Sequence, residues 1–160
     1  MRSEEFESFV KTLLPQAAEE HLTIVARLVE TGEMVGALLT NDPAHEAAAG
    51  METLSDNFGP IASILGELVA MYRQGTKPLP GEMLHLYLLG VSDRVSGRGV
   101  GQQLVAASVE NGVRRGYRVA VAEATNHVAA HFSQAGVYRA RADFLPRSCL
   151  QRPQCIRADP

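Results

Sequence analysis

Apolar residues recur along this chain with two alternating periods, and each switch between periods marks a change of element. Ser3 can cap a helix that carries Phe6, Phe9, Val10 and Leu13 on one face, a pattern that Pro15 is expected to stop. Two β-rich runs come next, Leu22 to Val29 and Met34 to Thr40. Glu30-Thr31-Gly32-Glu33 reads as the hairpin turn between them, and Asn41-Asp42-Pro43 ends the second. An alanine-rich segment leads to Pro60, after which Ile61, Ile64, Leu65, Leu68, Val69 and Tyr72 return to helical spacing. Gly75 to Gly81, with Pro78 and Pro80, is a loop feeding a central strand, Leu84 to Val91. A helix then runs from a glycine-rich turn to Arg115. Gly116 caps it, and Arg114 and Arg115 in its last turn suit the helix dipole. Tyr117 to Ala122 reads as a strand, His127 to Gln134 as a short helix and Val137 to Ala142 as another strand. The pattern predicts one α/β domain over residues 1–160, without repeats, low-complexity tracts or linkers.

The turn between the central strand and the long helix, Ser96-Gly97-Arg98-Gly99-Val100-Gly101, carries the chemistry. Three glycines at alternate positions leave backbone N–H groups bare beside a helix N-terminus, an arrangement that binds anions and most often phosphate. A P-loop is excluded because Gln102 and Gln103, not Lys and Ser/Thr, come after Gly101. A dinucleotide fingerprint needs its third glycine at position 102, where Gln102 stands, although Glu123 falls roughly where its ribose-binding acid would. A purely structural strand-to-helix turn is the remaining reading.

Leu84 to Gly136 resembles the Gcn5-related N-acetyltransferase (GNAT) superfamily, whose loop runs Arg/Gln-x-x-Gly-x-Gly/Ala after a strand ending in Val. Val91, Gly99 and Gly101 match, with Ser96 where the family usually has Arg or Gln. Asn126 and Ala130 to Val137 resemble the family's next strand end and helix. Leu84-His85-Leu86 and Glu123-Ala124-Thr125-Asn126 look closest to the arylalkylamine and related small-amine acetyltransferases. The resemblance implies a central, mixed, mostly antiparallel sheet with splayed central strands, flanked by helices. The family's first strand is missing, because the first helix starts almost at Met1. In the small-amine enzymes a segment placed like Ala44–Gly81 shapes the acceptor pocket; a helix that merely covers the sheet is the alternative.

By the same resemblance the chain moves an acetyl group from acetyl-CoA to a small primary amine by direct attack in a ternary complex. The cofactor-facing backbone is then Leu89, Gly90 and Val91, with the Leu89 N–H on the thioester carbonyl. The pyrophosphate sits on Arg98, Gly99, Val100, Gly101 and Gln102, with Gly97 completing the turn, and Asn126 meets the cofactor arm. His85, six residues before Val91, stands where several members place a catalytic Glu or His. An imidazole's ordinary pKa of about 6.5 suits it to take a proton near neutrality. Period-two alternation places Tyr87 and Leu89 on the same face as His85, making Tyr87 a second polar group of the acceptor pocket. Glu82 is the reserve base. Phe132 occupies the position at which the family often has a Tyr that protonates the leaving thiolate. Two rival functions are a non-catalytic acyl-CoA-binding domain and a protein or peptide acetyltransferase.

Composition narrows the partners. At 46% hydrophobic, 21% charged and a net charge of −3, the chain has no global attraction for nucleic acid or an anionic membrane. Aromatics are only 6% and no basic cluster is interleaved with them, which argues further against nucleic acid. The N-terminus lacks a signal-peptide core, no run is long enough to span a membrane, and Cys149 and Cys155 are expected as free thiols, so a cytoplasmic setting is expected. No metal-ligand cluster stands out. The absent first strand and the tail from Arg147 suit a homodimer.

Overall fold

In a computed structural model the residues described are 3–45, 59, 63, 67, 79–123, 137–139 and 156–158. Helix α1 (Ser3–Glu20) leads into the hairpin of β1 (Ile24–Leu28) and β2 (Met34–Asn41), then β3 (Met83–Val91), α2 (Val100–Arg114), β4 (Val119–Val121), β5 (Val137–Arg139) and β6 (Ile156–Ala158). Of the helix expected after Pro60 only Ser63 and Glu67 are described, both helical; the helix expected over 127–134 lies outside the described residues, as do Cys149 and Cys155.

The six strands form one sheet in the order β5-β4-β3-β2-β1-β6. The pairs β1–β2, β2–β3 and β4–β5 are antiparallel, whereas β3–β4 and β1–β6 are parallel. The sheet is therefore mixed and mainly antiparallel, as expected. Parallel pairing of β3 with β4 needs a crossover, which α2 provides. The core lies between α2 and the sheet, where Ile24, Ala26, Leu38, Leu84, Leu86 and Leu104 are buried. Gly36 lets α2 approach closely, since a Cβ there would sit 3.1 Å from Leu104 Cδ1 and 3.2 Å from the Gly90 carbonyl oxygen.

Two expectations are corrected. Pro15 does not stop α1, which runs to Glu20. An interior proline costs a helix about 3 kcal/mol, but the last turn is anchored from outside. Glu20 Oε2 accepts the Asp42 N–H at 2.8 Å, Glu20 Oε1 lies 3.0 Å from His45 Nδ1, and Ala17 is buried. The strand expected from Tyr117 begins at Val119, because the Tyr117 N–H is already bonded to the Gly112 carbonyl at the end of α2. Among the described residues no strand precedes α1. The edge of the sheet beside β1 is instead taken by β6, with Ala26 opposite Ile156 and Leu28 opposite Ala158, so the sheet finds that neighbour in its own chain.

Two irregularities of β3 give it an edge that is unpaired among the described residues and a local change of facing. Its pairing with β4 covers only Met83, Leu84 and His85, opposite Val119, Ala120 and Val121, while β3 itself runs on to Val91. The two central strands thus part company midway along β3. On its other side β3 pairs with β2 through Leu88↔Leu39 and then Leu86↔Thr40, leaving Tyr87 as the extra residue of a β-bulge.

Candidate functional site

The glycine-rich turn is built as its sequence suggests. Ser92 donates to the Val35 carbonyl at 2.8 Å, which carries the pairing of β2 and β3 one residue beyond Val91. A short 3-10 turn over Asp93–Val95 comes next, with the Val95 side chain buried as its anchor. Gly97 and Gly99 have φ of +75° and +77°, the left-handed region that favours glycine. Gly99 is the N-cap of α2 and carries no capping side chain. The first turn of a helix leaves its N–H groups without intrahelical acceptors. The Gln103 N–H is taken by the Gly99 carbonyl at 3.0 Å. Among the described residues no acceptor meets the N–H groups of Gly97, Gly99, Val100, Gly101 or Gln102. They stand at the positive end of the α2 dipole, so the turn attracts an anion. The Arg98 N–H is partly engaged, at 3.4 Å from the Val95 carbonyl, while its side chain is exposed and makes no ion pair among the described residues. Arg94, by contrast, is held by Glu33 at 2.6 Å.

The turn is continuous with the edge of β3 that no strand pairs beyond His85 among the described residues. In an antiparallel pair, residues alternate between facing the partner strand and facing away. Ser92 faces β2 through its bond to Val35, and so do Gly90 and Leu88 by alternation. Leu89 and Val91 therefore turn their N–H and C=O groups toward the edge that β4 has left. Leu89 and Gly90 are exposed, and a Cβ at Gly90 would meet nothing within 4 Å.

Farther back on β3, where β4 still pairs, His85 is 9% exposed and its Nε2 lies 2.6 Å from Glu123 Oε2. Glu123 lies two residues past the end of β4, so the parallel register that sets His85 against Val121 also delivers this carboxylate. Burial alone would raise the Glu123 pKa. The hydrogen bond from His85, its charge and a backbone N–H outweigh that and hold the carboxyl below its ordinary value. Tyr87 packs edge-on to His85 with ring centroids 5.0 Å apart and touches Phe9 of α1 at 6.2 Å. Burial and the Glu123 charge both push the Tyr87 phenol upward, so it is a neutral hydroxyl near pH 7. Asn41, the register partner of His85, brings a buried side-chain oxygen with no donor among the described residues.

The structure thus brings His85 and Tyr87 together and joins Leu89, Gly90 and Val91 to the glycine turn. It corrects the expectation that Leu89 shares their face. His85 is opposite Asn41 and Leu89 opposite Leu38, positions of opposite parity on β2, so the bulge at Tyr87 moves Leu89 to the α2 side. Glu82 stands apart at the start of β3. Its carboxylate accepts the Leu79 N–H at 3.1 Å and its carbonyl accepts from Arg118 and Val119, a local structural task. Asn126 and Phe132 lie outside the described residues. The partner that residue reading missed is Glu123, whose link to His85 needed the β3–β4 register. Among the described residues no cluster of side chains could hold a metal, and no helix is long and apolar enough to cross a membrane.

Comparison with known proteins agrees with this architecture. The model of the acetyltransferase (GNAT) family matches residues 2–137. The C-terminal condensation domain of Ebony, solved with beta-alanyl-dopamine, superposes with a TM-score of 0.74 at 12% identity, over 84% of this chain and 63% of that one. Arylalkylamine N-acetyltransferase 2 from Aedes aegypti gives 0.61 at 19% identity, over 78% of this chain and 59% of that one. The Drosophila melanogaster polyamine N-acetyltransferase, which forms N-acetylagmatine, gives 0.50 at 22% identity, over 65% and 52%. These likenesses are of fold, and the chain spans less than two thirds of the length of each. No curated protein matches the sequence.

Proposed function

The chain belongs to the acetyltransferase (GNAT) family, and on that premise we propose that it transfers the acetyl group of acetyl-CoA to a small primary amine by direct attack. The observation that carries this reading is the single strand β3. It leads an open backbone edge into bare N–H groups at one end and holds a hydrogen-bonded histidine at the other.

The residues fit acetyl-CoA. A diphosphate suits the N–H groups of Gly97, Gly99, Val100, Gly101 and Gln102, with the exposed Arg98 side chain, which makes no ion pair among the described residues, beside them to meet further phosphate charge. An extended pantetheine arm suits the edge of β3, where Leu89 and Val91 turn their N–H and C=O groups outward and Gly90 between them brings no side chain. Acetyl-CoA would supply a thioester whose C–S bond breaks as the new C–N bond forms, CoA leaving as a thiolate that takes up a proton from water. The Leu89 N–H donates to the carbonyl oxygen as charge builds there. His85 takes the proton that the attacking amine must lose. About four residues of strand, roughly 13 Å, separate His85 from Leu89, so that proton travels through water. Tyr87 and Asn41 line the acceptor side as neutral polar groups. The likeness to arylalkylamine and polyamine N-acetyltransferases supports a small amine as acceptor.

Calorimetric titration with acetyl-CoA, with NADH and ATP as controls, tests the cofactor. Saturable binding of acetyl-CoA alone, and then turnover on a panel of arylalkylamines, polyamines and peptides, is expected, with small amines preferred. Binding of NADH instead would revive the dinucleotide reading. Acetyl-CoA binding with no turnover on any amine would leave an acyl-CoA-binding domain.

A further inference from the structure

We propose that Glu123 is a positioning residue for His85: it holds the tautomer protonated on Nε2 and so reserves Nδ1 as the nitrogen that takes the amine's proton. This deepens the acetyl-transfer reading and rests on it. The geometry is specific. His85 Nε2 and Glu123 Oε2 are 2.6 Å apart, a charge-assisted distance, and both side chains are largely shielded, 11% and 17% exposed. A carboxylate held below its ordinary pKa is ionised at neutral pH and can only accept. Nε2 must therefore be the donor, which leaves Nδ1 with its lone pair when the ring is neutral. Nδ1 has no hydrogen-bond partner among the described residues. The edge-on contact with Tyr87 limits rotation of the ring about its own axis. A ring fixed at one nitrogen presents the other in a constant direction, and a ring left in the wrong tautomer is a poor base whatever its position.

Glu123→Ala, Glu123→Gln and His85→Ala, and each Glu123 change in the His85→Ala background, separate the possibilities. Phenethylamine and agmatine serve as acceptors. Glu123→Ala is expected to lower kcat about 100-fold and Glu123→Gln about tenfold, with the Kd for acetyl-CoA unchanged. In the His85→Ala background neither Glu123 change should lower the rate further, since Glu123 acts through His85. Long-range 1H–15N spectra, with the His85 signals assigned by their loss in His85→Ala, should show Nε2 protonated in the wild type and a tautomer mixture in Glu123→Ala. An unchanged tautomer in Glu123→Ala, or a further loss of rate in the His85→Ala background, would overturn the proposal. Full activity in His85→Ala would sink the acetyl-transfer role of His85 instead, while the spectra still report whether Glu123 sets the tautomer.

Discussion

Gly112 on α2 and Leu84 on β3 occupy a space with room for one side chain: a Cβ at Gly112 would fall 2.7 Å from Leu84 Cδ2. Leu84 is only 2% exposed, so its methyl groups cannot swing aside into solvent. Overpacking of this kind costs about 1–3 kcal/mol, against a gain of about 1 kcal/mol for alanine over glycine in a helix. Gly112→Ala is therefore expected to lose about 1 kcal/mol of unfolding free energy in urea. Leu84→Ala with Gly112→Ala should lose less than the two separate losses combined, because the new methyl group partly fills the hole left by the leucine.

Thr40 and Ser108 form a second bond between the same layers, with their hydroxyl oxygens 3.0 Å apart and both residues about 1% exposed. Removing the Thr40 hydroxyl strands that of Ser108 in an apolar interface, while removing the Ser108 hydroxyl leaves Thr40 only its long 3.5 Å bond to the Leu38 carbonyl. Thr40→Val or Ser108→Ala alone should cost about 1–3 kcal/mol, and the double variant little more than either single one. A double-mutant cycle by chemical denaturation reads this directly; strict additivity would deny the coupling.

Gly99 separates stability from cofactor binding. At φ +77° an L-residue is strained, so Gly99→Ala should destabilise by about 1–2 kcal/mol and weaken acetyl-CoA binding about tenfold by calorimetry. Gly32, at φ +70° in the β1–β2 turn, is the control. Gly32→Ala carries similar strain far from the anion site in sequence, and its affinity should stay at the wild-type value.

The Glu123 carboxyl makes a pH-dependent contribution whose sign is fixed by its shift. Its folded pKa is depressed below the ordinary 4.5. The stabilisation is thus fully present above the unfolded value and disappears as pH falls through the lower folded one. Glu123→Gln, which cannot ionise, should show a shallower decline of stability in urea titrations below pH 4.5. Parallel acid limbs for the two proteins would contradict this.

Tyr117 behaves in the opposite sense. Burial, the charge of buried Asp42 and the 3.2 Å bond to Asp42 Oδ2 push its phenol up to about 12. A raised pKa contributes stability below the unfolded value near 10, lost as pH climbs through the folded one. An ultraviolet titration should show a phenol ionising near pH 12 that is missing in Tyr117→Phe. The variant should also be less sensitive to alkali between pH 10 and 12.

Local signals were legible in the chain and distant ones were not. The glycine turn could be read because everything that shapes it lies within a few residues: two positive φ angles, a buried valine anchor and a helix start. The hairpin turn likewise closes on itself, with Leu28 and Glu33 bonded at 2.9 Å. The true length of α1 depends on Asp42, 22 residues away from Glu20, so the local penalty of Pro15 gave the wrong end. β6 is three residues with no periodicity of its own, recognisable only once β1 is there to pair with it. Glu123 was visible as an acid after a strand, but its role depends on a parallel register that no short window contains.

The extra residue at Tyr87 also bears on how this chain can change. Substitutions along β3 act by degrees, through volume, charge or strain. Loss or gain of one residue between His85 and Leu89 would act all at once, by turning one half of the strand over relative to the other. Removing the bulge would carry either the histidine away from Glu123 or Leu89 and Val91 out of step with the turn they lead into. What must be kept in this stretch is its count as much as its composition, and a substitution scan would never reveal that constraint.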